Sequence, residues 1–161
     1  MRMSEGVEWA LHSCLNLSWV DSGRAVTAAK LAAFYELPAA YLNKQLQALT
    51  RAGILSSSSG PRGGFQLARS PAAITLLDIV TAIEGPDEAF RCDEILRQGP
   101  GGDPETDYRQ TCLISQGMRR ADIAWRRELA AQTLADIKSS VEQKFPAAPL
   151  STRNRLAALR A

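Results

Sequence analysis

The fold of this chain is decided by the stretch SSSSGPRGGF, residues 56–65. It follows the apolar pair Ile54 and Leu55 and leads into FQL at 65–67, so two short apolar segments flank a loop rich in serine and glycine. This pattern predicts a β-hairpin. With Arg62 at its tip, such a hairpin can lie along phosphates or enter a minor groove, where a cation is favoured. The stretch therefore predicts a DNA-binding wing.

Two helices are predicted directly before the hairpin. Thr27 is placed to cap the first helix, and apolar residues recur at helical spacing as far as Tyr35. Pro38 separates the helices, because the residue before a proline avoids helical angles whereas proline itself suits a first turn. The second helix is expected to end at Gly53. Its buried face would consist of Leu42, Leu46 and Leu49, which leaves facing outward Ala40, Tyr41, Asn43, Lys44 and Gln47.

The outward face of this second helix mixes hydrogen-bond donors, acceptors and one aromatic ring. Such a mixture suits base edges and phosphates, so we predict a recognition helix. The alternative is a helical hairpin and a β-hairpin that serve only in packing, and the position of the hairpin directly after the helix favours the DNA-binding interpretation. The predicted DNA-binding residues are Ala40, Tyr41, Asn43, Lys44, Gln47, Arg62 and Gly63.

Length, charge and composition limit the possible functions. The chain has 161 residues, of which 45% are hydrophobic, enough for one core and an appended element. The net charge is only +2, so DNA affinity is expected from local cations such as Lys44, Arg51, Arg62 and Arg69. No apolar run could span a bilayer and no secretory stretch is present, so we expect a cytoplasmic protein without a membrane partner. A single histidine leaves little material for acid–base catalysis, and we expect no enzymatic activity.

The sequence pattern changes twice after the wing, first from a helix to a loop and later to a tail. A helix predicted between a cap at Thr75 and a stop at Gly85 completes a winged helix-turn-helix domain at residues 1–85. Residues 86–112 have no helical or strand period, and a loop of this length usually has a function or is disordered. Residues 145–161 are rich in alanine, proline and arginine and are predicted to form a flexible tail.

A long amphipathic helix is predicted after the loop. Its length of roughly twenty residues corresponds to about 30 Å, and a small winged domain does not need so long an apolar stripe. We therefore interpret residues 113–144 as a dimerisation region, and the alternative is that the stripe packs against its own domain. A dimer would present two recognition helices to a palindromic site. The stripe consists of Ile114, Met118, Ala121, Trp125 and Leu129. The predicted fold class is mainly α with a small β-hairpin.

Several segments of the chain resemble the Rrf2 family of winged-helix regulators. The resemblance covers about residues 1–140 and implies a homodimer that binds operator DNA as a repressor. In many members it also implies a [2Fe-2S] or [4Fe-4S] cluster in the loop before the long helix, here residues 86–112. The segments that carry the resemblance are residues 41–42, 53–55, 60–61, 63–65, 74–80, 84–86 and 133–137.

The cysteines depart from the pattern of cluster-binding family members, which place three close together in that loop. Only Cys92 and Cys112 lie in residues 86–112, and Cys14 falls on the apolar stripe of the first helix, where a core role is expected. Two thiolates cannot complete a cluster. An iron-sulfur cluster needs four protein ligands, and histidine or carboxylate can replace thiolate.

The resemblance also implies where the missing ligands lie. An acidic ligand in one part of the family comes from the first helix of the partner subunit, and Glu8 matches that position. His12, the single histidine, follows one turn later, about 6 Å along the axis. In this composition the chain resembles a redox-sensitive member whose [2Fe-2S] cluster has mixed Cys, Glu and His ligands. We predict a [2Fe-2S] cluster bound by Cys92 and Cys112 of one subunit and by Glu8 and His12 of the other.

Three functional classes remain open. The first is a transcription regulator whose DNA affinity follows the oxidation state of the cluster. The second is a cluster-free regulator in which Cys92 and Cys112 form a thiol switch, and Glu8 and His12 are only a solvent-exposed pair on a helix. The third is an electron carrier of the ferredoxin type, which is disfavoured because such a protein has no use for a wing.

Overall fold

The computed structural model describes residues 3–61 and 63–159. Short 3-10 turns at Pro71–Ala73 and Ile95–Gln98 lie between the longer elements. The order of elements in this part of the chain confirms the mainly helical fold with one hairpin: α1 (Glu5–Leu17), α2 (Ala28–Phe34), α3 (Ala39–Arg51), β1 (Leu55–Ser58), β2 (Gly64–Leu67), α4 (Leu76–Glu84), α5 (Tyr108–Thr111), α6 (Leu113–Ala131), α7 (Leu134–Lys144) and α8 (Ala148–Ala158).

Helices α2 and α3 form the helix-turn-helix that the sequence predicts. The Thr27 hydroxyl caps α2 by accepting a hydrogen bond from the Lys30 amide at 3.3 Å. Gly53 follows α3 with φ +68°, a left-handed conformation that glycine adopts without strain. The face of α3 that packs inward is fully buried and consists of Leu42, Leu46 and Leu49.

Strands β1 and β2 pair antiparallel, with Leu55 opposite Leu67 and Ser58 opposite Gly64. The segment before α2 joins this hairpin, because Val26 exchanges two backbone hydrogen bonds of 2.9 and 2.8 Å with Phe65. The predicted wing is therefore a hairpin whose base is attached to the start of the helix-turn-helix.

Helix α1 lies beneath the helix-turn-helix and packs against α3 and α4. Cys14 is fully buried in this core, as the sequence predicts, and burial raises the pKa of its thiol to about 12. The start of α4 is fixed by a reciprocal pair of 3.0 Å hydrogen bonds, in which the Thr75 hydroxyl accepts from the Asp78 amide and the Asp78 carboxylate accepts from the Thr75 amide. The core is thus built mainly from α1 to α4 and the base of the wing, and Leu134 of α7 and Leu156 of α8 add to it.

The region after the wing contains more helices and turns than the sequence predicts. Residues 113–144 form two helices, because the chain leaves helical angles at Gln132 and Thr133 caps α7. The loop at 86–112 contains one 3-10 turn and the short helix α5, which are too short to produce a period in the sequence. Along the described residues, no helix combines the length and the apolar character that crossing a bilayer requires.

The prediction of a flexible tail was wrong over Ala148–Ala158, which form α8. Leu156 is buried in the main core at 4% exposure, and Thr152 is buried one turn before it. The Arg155 guanidinium lies 4.9 Å from the centre of the Phe34 ring on α2, within reach of a cation–π interaction. These contacts hold α8 against the helix-turn-helix.

Candidate nucleic-acid interface and ligand positions

Helix α3 presents its predicted recognition face to solvent. Tyr41 is the largest side chain there and is 65% exposed. Because the opposite face is anchored by buried leucines, the exposed side chains are held on a rigid element. The other predicted contacts on this helix are also exposed: Ala40, Asn43, Lys44 and Gln47. Their contact with DNA stays a prediction.

Of the two predicted wing residues, the structure describes Gly63 but not Arg62. Arg62 lies outside the described residues. Gly63 is buried, its amide donates to the Gly60 carbonyl at 2.9 Å, and a Cβ there would collide with the backbone oxygen of Ser58. Gly63 therefore shapes the wing turn, and its predicted contact with DNA stays a prediction.

The cations expected to add DNA affinity are not equivalent. Lys44 and Arg51 are exposed on α3. Arg69 instead donates to the carbonyls of Gly53 and Ala73, both at 3.2 Å, and lies 3.7 Å from the Asp78 carboxylate. Arg69 is thus engaged in joining the end of the wing to α3 and α4.

Glu8 and His12 are both exposed on α1. The His12 ring packs edge-on against the Tyr35 ring, with 5.5 Å between the centroids. Tyr35 is the C-cap of α2, and its hydroxyl donates to the buried Asn16 side-chain oxygen at 3.2 Å. Burial is the main reason that the pKa of the Tyr35 phenol is raised. A predicted ligand therefore contacts the helix-turn-helix directly.

Sequence reasoning missed this role of Tyr35. It assigned Tyr35 to the apolar stripe of α2, because the spacing of residues along one helix carries no information on which side chain of another helix it meets. The only local signal is the pair of adjacent aromatic residues at the end of α2, where the Phe34 and Tyr35 rings lie 4.7 Å apart.

Cys92 and Cys112 are free and partly exposed, one at each end of the loop region. Cys112 is the N-cap residue of α6, and its amide donates to the Tyr108 carbonyl at 3.0 Å. Cys92 lines a surface pocket whose other residues are Asp87, Glu88, Phe90, Arg91, Arg109, Ser115 and Arg119. Two of the three arginines are engaged in ion pairs, Arg119 with Glu88 at 3.4 Å and Arg109 with Glu94 at 3.2 Å.

The four predicted ligands do not meet within a single chain. Over residues 3–61 and 63–159, no three histidine, cysteine or acidic side chains lie close enough together to hold a metal ion. Within one chain, no more than two of the four predicted ligands therefore lie together.

One side of α6 contacts its own chain, and the other side is exposed to solvent. On one side Asp122 is buried and accepts from Arg126 at 2.7 Å, and Arg126 also donates to the carbonyls of Pro86 and Asp87. The hydrogen bond from Arg126 to Asp122 is the main cause that lowers the pKa of the Asp122 carboxyl. On the predicted stripe, Ile114 is 71% and Met118 42% exposed. At these two residues the stripe does not pack against its own domain.

Comparisons with known proteins agree with this architecture. The family model described as "Rrf2: Iron-dependent Transcriptional regulator" matches residues 3–140. Protein rrf2 of Nitratidesulfovibrio vulgaris is 27% identical over 137 residues, which cover 85% of this chain and 87% of that protein.

Two solved structures share the fold. CymR, the global cysteine regulator of B. subtilis, superposes with a TM-score of 0.64 at 23% identity over 87% of this chain and 98% of its own. IscR of T. potens superposes with a TM-score of 0.65 at 19% identity over 90% of this chain and 91% of its own. Given the family match over residues 3–140, the chain belongs to the Rrf2 family of winged-helix transcriptional regulators, which are not enzymes.

Proposed function

We propose that this regulator binds operator DNA as a homodimer and that its affinity follows the oxidation state of a [2Fe-2S] cluster. Glu8 and His12 of one subunit and Cys92 and Cys112 of the other would hold the cluster. The observation that carries the proposal is the packing of the His12 ring against Tyr35, because it joins a candidate ligand to the helix-turn-helix. Repression is the expected outcome of operator binding.

The proposed DNA interface consists of the exposed face of α3 and the wing. Tyr41, Asn43, Lys44 and Gln47 supply donors, an acceptor and an aromatic ring for base edges and phosphates. Arg62, at the wing tip in the sequence, would add a contact to phosphate or to the minor groove. Two copies of this interface in a dimer would match the two halves of a palindromic site.

The exposed stripe of α6 supports the homodimer. A second copy of the same helix would cover Ile114 and Met118, two large apolar side chains that are exposed on a helix with only Ser115 and Asp122 buried. The symmetry of a homodimer would place the same stripe on both subunits.

The donor set fits an iron-sulfur cluster. Two thiols, one carboxylate and one imidazole supply the four ligands that such a cluster needs. Glu8 and His12 are exposed and Cys92 and Cys112 are partly exposed, so all four are accessible to a second subunit. When bound, the cluster would supply a group that gains or loses one electron.

The contact between His12 and Tyr35 would transmit a change at the cluster to the helix-turn-helix. Tyr35 is the C-cap residue of α2, with its amide donating to the Ala32 carbonyl at 3.2 Å, and Pro38, the N-cap residue of α3, follows three residues later. A change in the orientation of the His12 ring would change the support of the Tyr35 ring and thus the turn between α2 and α3. A population shift of about a few kcal/mol is enough for such a switch.

A second candidate is a cluster-free thiol switch, which the partial exposure of Cys92 and Cys112 favours. The fold is also shared with CymR of Staphylococcus aureus, which has been solved in an oxidized form, at 22% identity and a TM-score of 0.63. In this version Cys92 and Cys112 would be oxidised and reduced as thiols, and Glu8 and His12 would have no part in sensing.

Anaerobic purification followed by a visible spectrum and by iron and sulfide analysis separates the two candidates. We expect the wild type to be coloured, and we expect Cys92→Ser and Cys112→Ser to lose the iron. Cys14→Ala should keep it, because the Cys14 side chain is buried in the core. Glu8→Ala and His12→Ala should also lower the iron content. A colourless wild type that still changes DNA affinity on thiol oxidation would support the thiol switch instead.

The sharing of ligands between subunits is tested with mixed dimers. A Glu8→Ala/His12→Ala chain combined with a Cys92→Ala/Cys112→Ala chain should give heterodimers that keep one complete site. Heterodimers without any cluster would contradict ligation across the dimer.

The switch itself is tested by a redox titration of the holoprotein with operator binding measured in parallel. The oxidised and singly reduced forms should differ in affinity, and Tyr35→Leu should reduce that difference while Tyr35→Phe, which keeps the ring, should reduce it less. Equal affinity of the two forms, with binding altered only after iron loss, would contradict switching by oxidation state.

A further inference from the structure

A small basic cavity of about 50 Å³ lies between α8 and the segment that leads into α2. Its charged residues are Arg24, Lys30 and Arg153, with the single carboxylate Asp21. The three cations and one anion give the cavity a net charge of +2. In the part of the chain that the structure describes, none of the four forms an ion pair, so this charge is not neutralised there.

The cavity adjoins a second groove, and the two share Arg24, Lys30 and Ala157 in their linings. The neighbouring groove is also lined by Lys30, and it runs from the α2 cap Thr27 to the wing residues Pro61 and Gly63. Its other wall is the end of α8 at residues 157–159. A duplex that lay against α3 and the wing would therefore pass close to the end of α8.

The two arginines in the middle of α8 have different surroundings. Arg155 is directed to the Phe34 ring at 4.9 Å, and Leu156 is buried beside it, so both hold the helix in place. Arg153 lines the basic cavity and is exposed. A guanidinium on an anchored helix can bind phosphate through two parallel N–H bonds at little entropic cost.

We infer that Arg153, together with Arg24 and Lys30, binds a backbone phosphate of the operator beside the wing, so that α8 belongs to the DNA-binding surface. This inference rests on the proposed operator binding. Contacts to phosphates fix the position of a protein on the duplex and carry no sequence information directly. The contact should therefore contribute to operator DNA and to unrelated DNA alike.

The test compares Arg153→Gln with Arg127→Gln, which removes the same charge from an exposed position on α6. One phosphate contact contributes about 0.9 to the slope of log affinity against log salt. When the salt is raised from about 50 to 200 mM, the affinity of both proteins falls. The factor by which it falls should be roughly threefold smaller for Arg153→Gln than for the wild type. Arg127→Gln should follow the wild type, and Arg153→Lys should keep most of the slope. Arg24→Gln, which lies in a loop, repeats the test without changing α8.

The outcomes separate this inference from the proposed function. If the wild type binds its operator and neither Arg153→Gln nor Arg24→Gln changes the salt slope, the inference is overturned and operator binding stands. Weaker binding by both variants with an unchanged slope would also contradict a phosphate contact. A wild type without specific DNA binding would contradict the proposed function itself.

Discussion

The winged unit at residues 3–85 and the region from the loop through α6 bury their apolar side chains to different extents. In the winged unit, Leu42, Leu46 and Leu49 are completely buried by α1, α4 and the base of the wing. On α6, Ile114 and Met118 remain 71% and 42% exposed. The first region is stabilised by contacts within its own chain, whereas the second presents a surface that a second subunit would complete. This difference indicates that the winged unit can fold without a second subunit covering α6.

The largest effect is expected from Leu46→Ala, which leaves a cavity in the winged core. We expect the free energy of unfolding to fall by about 2–5 kcal/mol, independently of protein concentration. Ile123→Ala, at an exposed apolar residue of α6, is the matched control and should change it by less than about 0.5 kcal/mol. Chemical denaturation of both variants gives the two values. Similar losses would show that the two regions are not distinct.

The next effect concerns assembly. Ile114→Glu places an unpaired charge in the proposed dimer interface, so we expect dimerisation to weaken at least about tenfold while the helical content is kept. Arg127→Gln makes the same change of net charge on the same helix and should remain dimeric. Analytical ultracentrifugation over a range of concentrations measures both. Unchanged dimerisation of Ile114→Glu would place the interface elsewhere.

A smaller loss of stability is expected from Thr75→Ala. It removes the hydroxyl that accepts from the Asp78 amide at the start of α4, and such caps contribute about 1 kcal/mol. Ser70→Ala serves as the control, because the Ser70 side chain makes no cap hydrogen bond. Thermal unfolding of the two variants should show a lower Tm only for Thr75→Ala.

The smallest effect should appear in acid, at the junction of α6 with the loop. The hydrogen bond from Arg126 holds the pKa of Asp122 below its ordinary value, so its stabilisation is present above the unfolded pKa, about 3.9, and is lost as the pH falls through the folded pKa. The wild type should therefore lose stability below about pH 4 more steeply than Asp122→Asn or Arg126→Gln. Parallel acid titrations of the three proteins would reveal whether the pair contributes at all.

Much of the winged unit could be predicted because its signals are local. Thr27 and Thr75 each cap a helix through the amide three residues away, and Gly53 ends α3 in a conformation that glycine adopts without strain. The leucine face of α3 follows from the helical period alone. These predictions depend on neighbours within one or two turns, so the sequence is sufficient for them.

The predictions that failed or were incomplete involve contacts between distant segments. The docking of α8 depends on Leu156 entering a core that the first eighty residues build. The burial of Gly63 depends on how the wing loop closes on the Ser58 backbone. Neither contact produces a period or a motif in its own segment.

By itself the sequence determined the succession of helices and hairpin, the caps, the inward leucines and the pair of residues Glu8 and His12 one turn apart. Only the tertiary structure decided that His12 meets Tyr35, that α8 lies beside the wing, and that the four predicted ligands do not form one group within a single chain. The physical reason is the range of the interactions. Backbone preferences and caps act over a few residues, whereas the partner of a side chain across the core is chosen by the packing of whole elements.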